Sequence, residues 1–213
     1  MKIFLDSADI KEIREANTMG LIDGVTTNPS LLAKAVAEEG GKIEMREYLQ
    51  QLVKEVHGPV SLETTANDAE TMVKQGKILA KFGDNVIVKI PLIIEGLKAV
   101  KELKKANINC NVTLCFTTSQ ALLAAKAGAY FISPFVGRLD DINQDGMLLI
   151  EEIVEVYDNY DFETEIIAAS IRHPVHVLQA ALIGADIVTV PFNVLKKLSL
   201  HPKTDEGLRI SLR

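Results

Sequence analysis

Residues 86–114 read VIVKIPLIIEGLKAVKELKKANINCNVTL, and they alternate short apolar runs with a segment of helical period. Residues 86–90 and 108–114 are rich in β-branched side chains, which is typical of buried strands. Residues 94–106 between them have the apolar spacing of a helix. A strand, a helix and a second strand in this order indicate a parallel α/β unit, because a crossover connection joins strands that run in the same direction.

The same alternation recurs along the chain and predicts eight strands. They cover residues 3–6, 24–27, 59–64, 86–90, 108–114, 130–134, 165–170 and 187–191. The predicted helices cover residues 9–19, 42–56, 68–82, 94–106, 118–127, 144–160, 174–183 and 192–199, and a further short helix follows Pro29.

The length of the chain fits eight such units. One strand, one helix and two loops need about 26 residues, and dividing 213 residues among eight units leaves about 27 for each. We therefore predict a single-domain (β/α)8 TIM barrel over residues 1–213, with a short C-terminal tail from about residue 200. The alternative is a doubly wound open sheet, which usually has a glycine-rich loop after its first strand, whereas residues 6–9 contain no glycine.

The composition argues against several classes of function. The chain has 23 Lys and Arg against 29 Asp and Glu, a net charge of −6, whereas a nucleic-acid binder usually carries a basic face. No apolar run approaches the ~18 residues of a membrane span, and Asp6 comes too early for a signal peptide. Cys110 and Cys115 are the only cysteines, and the four histidines lack zinc-type spacing with them. We expect a cytoplasmic protein with no metal site and no nucleic-acid or membrane partner.

Alternate positions near the carboxyl ends of the predicted strands carry many polar residues. In a barrel, inward positions alternate along each strand and the active site lies at the carboxyl ends. This alternation selects Phe4 and Asp6, Thr26 and Asn28, Ser61 and Glu63, Ile87 and Lys89, Asn111 and Thr113, Ser133 and Phe135, and Ala168, Ser170 and Arg172. Each small polar residue among them could instead cap the helix that follows it.

Lys89 has the most specific chemical interpretation of these residues. It lies in an apolar strand where no cap is needed, and an unpaired ammonium is costly to bury. Desolvation favours the neutral amine, which can attack a carbonyl carbon to form a Schiff base. Glu63 and Asp6 supply two inward carboxylates for acid and base chemistry. The alternative is that Lys89 and Glu63 form a structural ion pair with no catalytic role.

Two arginines follow neighbouring strands and could bind an anion. Arg138 comes after the sixth predicted strand and Arg172 after the seventh, close to the hydroxyl of Ser170. Two guanidinium groups and a hydroxyl at adjacent strand ends can form a phosphate site. Each arginine taken singly is equally consistent with a surface position.

Six motifs in chain order together resemble the transaldolase family. They are DSA at 6–8, GVTTNPS at 24–30, VKIP at 88–91, NVT at 111–113, ISPFVGR at 132–138 and ASIR at 169–172. The short chain resembles the small-subunit branch, which also includes the fructose 6-phosphate aldolases. This resemblance implies a barrel that performs class I aldolase chemistry on sugar phosphates without a metal or an organic cofactor.

The resemblance also implies a role for each site residue. Lys89 would form the Schiff base with a ketose phosphate, Asp6 would take the proton of the C4 hydroxyl, and Glu63 would move protons through a water held with Thr113. The remaining residues would bind the substrate. The hydroxyls of the retained three-carbon unit would be bound by Asn28, Asn111 and Ser133, and Thr26 would line the same pocket. The phosphate would be bound by Arg138, Ser170 and Arg172.

Glu63 and Phe135 bear on whether the reaction is a transfer or a cleavage. In the fructose 6-phosphate aldolases, the resemblance predicts Gln and Tyr at these positions, and the tyrosine hydroxyl positions water. Phe135 has no hydroxyl, so the resemblance implies a transaldolase that moves dihydroxyacetone from sedoheptulose 7-phosphate to glyceraldehyde 3-phosphate in the pentose phosphate pathway. A fructose 6-phosphate aldolase and a non-catalytic sugar-phosphate-binding barrel are the alternatives.

The end of the sequence departs from the family pattern. Residues 201–207, HPKTDEG, resemble the terminal motif of the family, in which a longer helix commonly follows and covers the active site of a neighbouring subunit. The resemblance implies a homo-oligomer, either a pentamer or a decamer, while the short segment after residue 207 argues against the usual exchange of tails.

Overall fold

Eight parallel strands pair in chain order and close into a barrel in the computed structural model, which describes residues 1–211. The strands are β1 Lys2–Asp6, β2 Gly24–Thr26, β3 Val60–Glu63, β4 Val86–Pro91, β5 Cys110–Cys115, β6 Phe131–Pro134, β7 Glu165–Ala168 and β8 Ile187–Val190. The barrel closes where β1 pairs with β8, and Lys2 lies opposite Ile187 there. The predicted (β/α)8 fold is confirmed. Residues 212 and 213, the end of the predicted domain, lie outside the described residues.

Each predicted helix is present, and all but the one after β8 lie between two strands. The helices are α1 Ile10–Met19, α2 Pro29–Glu38, α3 Met45–Glu55, α4 Ala69–Ala80, α5 Ile94–Lys105, α6 Thr118–Ala127, α7 Val136–Asp140, α8 Gly146–Asn159, α9 Pro174–Ile183, α10 Phe192–Lys197 and α11 Pro202–Ser211. The sequence pattern did not predict α7, because five residues are too few to show a helical period. The predicted tail forms α11, and all its residues are exposed.

Apolar side chains pack on both faces of the strands. The larger cluster fills the space between the strands and the surrounding helices. The smaller cluster fills the inside of the barrel and consists of Phe4, Ile87, Phe131, Ile167 and Ile187. The rings of Phe4 and Phe131 meet edge to face there, with their centroids 5.8 Å apart. Because this cluster occupies the barrel interior, the barrel is a packed core rather than a pore.

The inward position predicted for β7 is wrong by one residue. Ile167 belongs to the inner cluster, whereas Ala168 packs in the outer one. The prediction assumed that Ala168, Ser170 and Arg172 continue one regular alternation. In the structure, β7 ends at Ala168, and Ser170 has a left-handed backbone with φ of 57°. This local change of backbone conformation breaks the alternation between the strand and the residues that follow it.

Candidate active site

A cavity of 470 Å³ opens at the carboxyl ends of the strands. It is lined by Asp6, Thr26, Asn28, Pro29, Ser30, Glu63, Lys89, Thr113, Leu114, Ser133, Phe135, Arg138, Ala169, Ser170 and Thr189. All the predicted site residues except Asn111 and Arg172 are therefore in its wall. The strand alternation brings them together because parallel strands of a barrel end at the same face.

The amine of Lys89 lies at the base of this cavity and is paired. Lys89 is 6% exposed, and its Nζ lies 3.2 Å from Oε2 of Glu63. Nζ also donates a hydrogen bond of 2.9 Å to the carbonyl oxygen of Thr27. Lys89 and Glu63 are direct cross-strand partners of β4 and β3, which explains why the two side chains meet. The ion pair of the structural alternative is thus present, and it lies inside the cavity.

Asp6 supplies a second carboxylate at the end of β1. Its Oδ1 accepts a hydrogen bond of 2.9 Å from the hydroxyl of Thr26. Burial raises the pKa of Asp6 above its ordinary value of 3.8, although the charge of Lys89 and the Thr26 hydrogen bond act in the opposite direction. A carboxyl group with a raised pKa is suited to exchange protons with a substrate.

The hydroxyl of Thr26 is fixed from its other side by Thr189 of β8. The two Oγ1 atoms are 2.5 Å apart. Because the Thr26 hydrogen is directed to Asp6, the hydrogen between the two threonines comes from Thr189. Thr189 thus orients the group that orients Asp6. The sequence prediction missed Thr189 because it stopped at the seventh strand; the same alternation on β8, Ile187 followed by Thr189, could have found it.

Asn111 of β5 is buried and does not line the cavity, and its side chain links β3 to β6. Its Nδ2 donates to Oγ of Ser61 over 3.1 Å, and its Oδ1 accepts from the hydroxyl of Ser133 over 2.7 Å. These bonds fix the orientation of the amide and direct the Ser133 hydrogen away from a ligand. Asn111 therefore acts on the cavity wall through Ser133.

Thr113 and Leu114 both line the cavity although they are neighbours on β5. The register of β5 against β6 shifts between Val112 and Cys115, and Leu114 has a left-handed backbone with φ of 62°. A bulge of this kind redirects side chains at the rim of a barrel. The hydroxyl of Thr113 is buried and has no hydrogen-bond partner within residues 1–211. A buried hydroxyl without a partner is costly, so this one is available for a bound water or substrate.

Asn28 combines a capping role with its position in the cavity. Its Oδ1 accepts from the backbone N–H of Leu31 over 2.9 Å and so begins α2, as the capping alternative predicted. Because the oxygen serves the helix, the amide nitrogen is the group left to donate to a ligand.

The structure separates the two arginines of the predicted anion site. Arg138 lies in the cavity wall, with its guanidinium carbon 4.8 Å from the centre of the Phe135 ring. Ser170 also lines the cavity. Arg172 is exposed outside it, and its Nη2 lies 2.7 Å from Oδ2 of Asp141. One arginine and one hydroxyl therefore reach the cavity directly.

Within residues 1–211, no helix has the length and apolar character needed to cross a membrane. No group of three or more His, Cys, Asp or Glu side chains in this part of the chain is arranged to hold a metal ion. Cys110 and Cys115 are free, and burial raises the pKa of each thiol to about 12.

The fold and the cavity define an eight-stranded α/β barrel with one amine and two carboxylates at its carboxyl-terminal mouth. A family model described as Transaldolase/Fructose-6-phosphate aldolase matches residues 3–211. The chain belongs to this family, and it is therefore an enzyme of the transaldolase and aldolase type.

Similar proteins from distant organisms carry one name. A probable transaldolase of Herpetosiphon aurantiacus is 57% identical over 212 residues, which is 100% of this chain and 93% of the relative. One of Aquifex aeolicus is 55% identical over 213 residues, covering 100% of this chain and 95% of the relative. One of Thermoplasma volcanium is 54% identical over 208 residues, covering 98% of this chain and 92% of the relative.

Proposed function

We propose that this protein is a transaldolase that works through a Schiff base on Lys89. The observation that carries the proposal is the buried Lys89 amine, held 3.2 Å from Glu63 in a cavity that also contains Asp6. The relatives named probable transaldolase support the same activity. The proposed reaction transfers dihydroxyacetone from sedoheptulose 7-phosphate to glyceraldehyde 3-phosphate, giving erythrose 4-phosphate and fructose 6-phosphate, as in the pentose phosphate pathway.

The first half of the proposed reaction cleaves the ketose. The amine of Lys89 attacks the C2 carbonyl, and loss of water gives an iminium ion. Glu63 hands on the protons of this step through a water that the free Thr113 hydroxyl would hold. Asp6 then takes the C4 hydroxyl proton, the C3–C4 bond breaks, and its electron pair moves to the iminium nitrogen. The aldose phosphate leaves, and a three-carbon enamine stays on Lys89.

The second half reverses these steps on another aldose. C3 of the enamine attacks the carbonyl carbon of the acceptor, Asp6 returns its proton to the new hydroxyl, and water releases the product from Lys89. Phe135 lines the cavity with a ring that has no hydroxyl to hold water against the intermediate. The enamine therefore persists until an acceptor arrives, which favours transfer over the lyase reaction of a fructose 6-phosphate aldolase.

The remaining cavity residues are proposed to bind the substrate. Asn28, Ser133 and, through Ser133, Asn111 face the hydroxyls of the three-carbon unit, and Thr26 lines the same pocket. Arg138 and Ser170 bind the phosphate, with Arg172 at the outer edge. The chemistry uses no metal or organic cofactor, because Lys89 supplies the electron sink.

We further propose a cytoplasmic homo-oligomer. The free thiols of Cys110 and Cys115 fit a reducing compartment. Leu200, Leu208 and Ile210 are exposed on and beside α11, and apolar side chains exposed in this way favour association. A pentamer or a decamer is the assembly that the family resemblance implies, and sedimentation velocity would measure it.

The test first traps the proposed intermediate on Lys89 and then measures whether the three-carbon unit is released or transferred. Borohydride with fructose 6-phosphate should add a three-carbon unit to the peptide that contains Lys89, as mapped by mass spectrometry. Without an acceptor, little free dihydroxyacetone should be released, and addition of erythrose 4-phosphate should start sustained turnover. Release as fast as transfer would identify a lyase, and binding of the sugar phosphate without trapping would identify a non-catalytic barrel.

A further inference from the structure

His176 is a buried titratable residue to which the proposed reaction assigns no role. It lies in the first turn of α9 and is 3% exposed. Its Nε2 lies 2.8 Å from Oδ2 of Asp140, the last residue of α7. Its Nδ1 accepts a hydrogen bond of 3.1 Å from the backbone N–H of Arg172. A buried imidazole that uses both nitrogens is held in one orientation.

These contacts fix the protonation state of the ring. A backbone N–H can only donate, so Nδ1 of His176 carries a lone pair and no proton. The single proton is therefore on Nε2 and is donated to the Asp140 carboxylate. Burial lowers the pKa of His176 below its ordinary value of 6.5, with the positive charge of neighbouring groups in the same direction and Asp140 in the opposite one. Neutral His176 is thus the form that fits.

The ring joins the two chain segments that carry the proposed phosphate ligands. Asp140 lies two residues after Arg138, and Arg172 lies two residues after Ser170. We call Asp140, His176 and the backbone N–H of Arg172 the loop clamp. The same two segments also meet where the N–H of Gly137 donates to the carbonyl oxygen of Ser170 over 2.9 Å.

The contact at Gly137 shows how closely the segments approach. A Cβ atom at this position would lie 2.1 Å from the carbonyl oxygen of Ser170 and 2.5 Å from Nε of Arg172. The far end of the clamp is fixed as well, because Oδ1 of Asp140 accepts from the backbone N–H of Gly146 over 2.9 Å. The two segments are therefore joined by backbone bonds, from Val136 to Ala169 and from Gly137 to Ser170, and beyond these bonds by the side chain of His176.

We propose that His176 is a positioning residue, which through the loop clamp holds Arg138 and Ser170 at the separation that one phosphate group requires. The inference rests on the proposed function only in taking that phosphate to be the substrate's. It predicts that loss of the clamp weakens binding of phosphorylated ligands and leaves the chemistry at Lys89 intact, because the clamp touches neither Lys89 nor Asp6.

Protonation of Nδ1 would remove the acceptor for the Arg172 N–H. The charged and titratable groups that face the ring are Asp140 of α7, Arg172, and His173, whose ring centre lies 3.9 Å from that of His176. Asp140 would stabilise the imidazolium, while burial, His173 and Arg172 oppose it. Because the pKa of folded His176 lies below 6.5, the clamp is complete above pH 6.5 and is lost as the pH falls through that lower pKa. KM for fructose 6-phosphate should rise over this acidic range.

Two substitutions separate the two bonds of the ring. In His176→Asn, the amide oxygen falls near the position of Nδ1 and can still accept from Arg172, but the side chain does not reach Asp140. In His176→Gln, the amide nitrogen falls near Nε2 and can still donate to Asp140. His173→Gln is the matched control, because His173 is exposed and stacks on the same ring. Thermal unfolding of each variant reports whether the barrel is intact.

The expected result is a rise in KM for fructose 6-phosphate of about tenfold in both His176 variants, with kcat within about twofold. Borohydride trapping with unphosphorylated dihydroxyacetone should be unchanged, the acidic rise in KM should disappear, and His173→Gln should behave as the parent. Unchanged KM values for fructose 6-phosphate in the His176 variants would overturn the proposal. A loss of dihydroxyacetone trapping as large as the loss of affinity for fructose 6-phosphate would also overturn it.

Calorimetry with inorganic phosphate tests the clamp independently of the reaction. If the parent protein traps no substrate, the proposed function fails, yet weaker phosphate binding by His176→Asn than by the parent would still support the clamp. Equal phosphate binding by the two proteins, or none by the parent, would refute it.

Discussion

On five of the strands, two layers of inward side chains lie one strand repeat apart and differ in polarity. The lower layer is the apolar cluster of Phe4, Ile87, Phe131, Ile167 and Ile187. The upper layer lies two residues further along the chain and consists of Asp6, Lys89, Ser133, Ala169 and Thr189. The lower layer closes the cavity from below, so that the ionisable groups above it meet solvent from the mouth only. Under the proposed function, stability and chemistry therefore depend on alternate positions of these chain segments.

The largest effect expected from this separation is at β4. Lys89→Met should lower turnover more than about 10³-fold and abolish borohydride trapping, because no other group in the cavity can supply the amine. Ile87→Val, one repeat below, should cost about 0.5–1.5 kcal/mol of unfolding free energy and keep the activity. Turnover assays and urea unfolding of both variants make the comparison. Substantial turnover by Lys89→Met would show that the two layers are not specialised in this way.

Asp6→Asn should lower turnover about 10²- to 10⁴-fold by removing the proton acceptor. Because burial raises the pKa of Asp6, the carboxylate form is disfavoured in the folded state. Parent activity should therefore fall with decreasing pH at values above 3.8, and this acidic limb should be absent in the variant.

Asp6→Asn should also change the stability of the folded protein, in a direction that depends on the pKa of Asp6. A folded-state pKa above the unfolded value favours folding at low pH, and this contribution is lost as the pH rises through the folded pKa. Asp6→Asn should therefore unfold at higher urea concentration than the parent at pH 7, with the difference shrinking toward pH 3.8. Destabilisation at pH 7 would indicate that the Asp6 carboxylate is a net stabilising group.

Phe131→Ala should affect stability rather than chemistry. Removing the ring leaves a cavity against Phe4 and should cost about 3–5 kcal/mol, measured by urea unfolding. Ser133→Ala, two residues later, should cost only about 1–3 kcal/mol, because it leaves Oδ1 of buried Asn111 without its donor, and should raise KM. Similar losses of stability in the two variants would erase the difference between the layers at β6.

The smallest effect is expected at the top of β8. Thr189→Val keeps the shape of the side chain but removes the hydrogen that fixes Thr26, which orients Asp6. One hydrogen bond is worth about 0.5–1.5 kcal/mol, so kcat should fall about two- to tenfold. Ile187→Val, one repeat below, is the control and should leave kcat unchanged. A kcat for Thr189→Val equal to that of the parent would show that Thr189 is not needed to orient Asp6.

The sequence predicts these layers where strands are regular. Alternation from Phe4 to Asp6 and from Ile87 to Lys89 is correct because β1 and β4 continue without interruption to the mouth. It fails at Ala168, because β7 ends there and Ser170 adopts a left-handed backbone that no apolar pattern encodes.

Side-chain pairing is the second limit of the sequence. Nothing in the spacing of residues along the sequence distinguishes the two arginines. Arg138 lines the cavity, whereas the side chain of Arg172 points away from it and pairs with Asp141. The choice depends on α7, which brings Asp141 close and is too short to show a period. The loop clamp could not be predicted from the sequence for the same reason, because Asp140, the partner of His176, is the last residue of α7.

The pairing of β1 with β8 has a consequence for how the protein matures on the ribosome. Lys2–Asp6 is synthesised before its partner Ile187–Val190, which follows more than 180 residues later. At about 5–20 residues per second, β1 lacks this partner strand for on the order of ten seconds or more. The bond from Thr189 to Thr26 can form only after that seam has closed. Closure of the barrel between β1 and β8 therefore also completes the chain of hydrogen bonds that ends at Asp6.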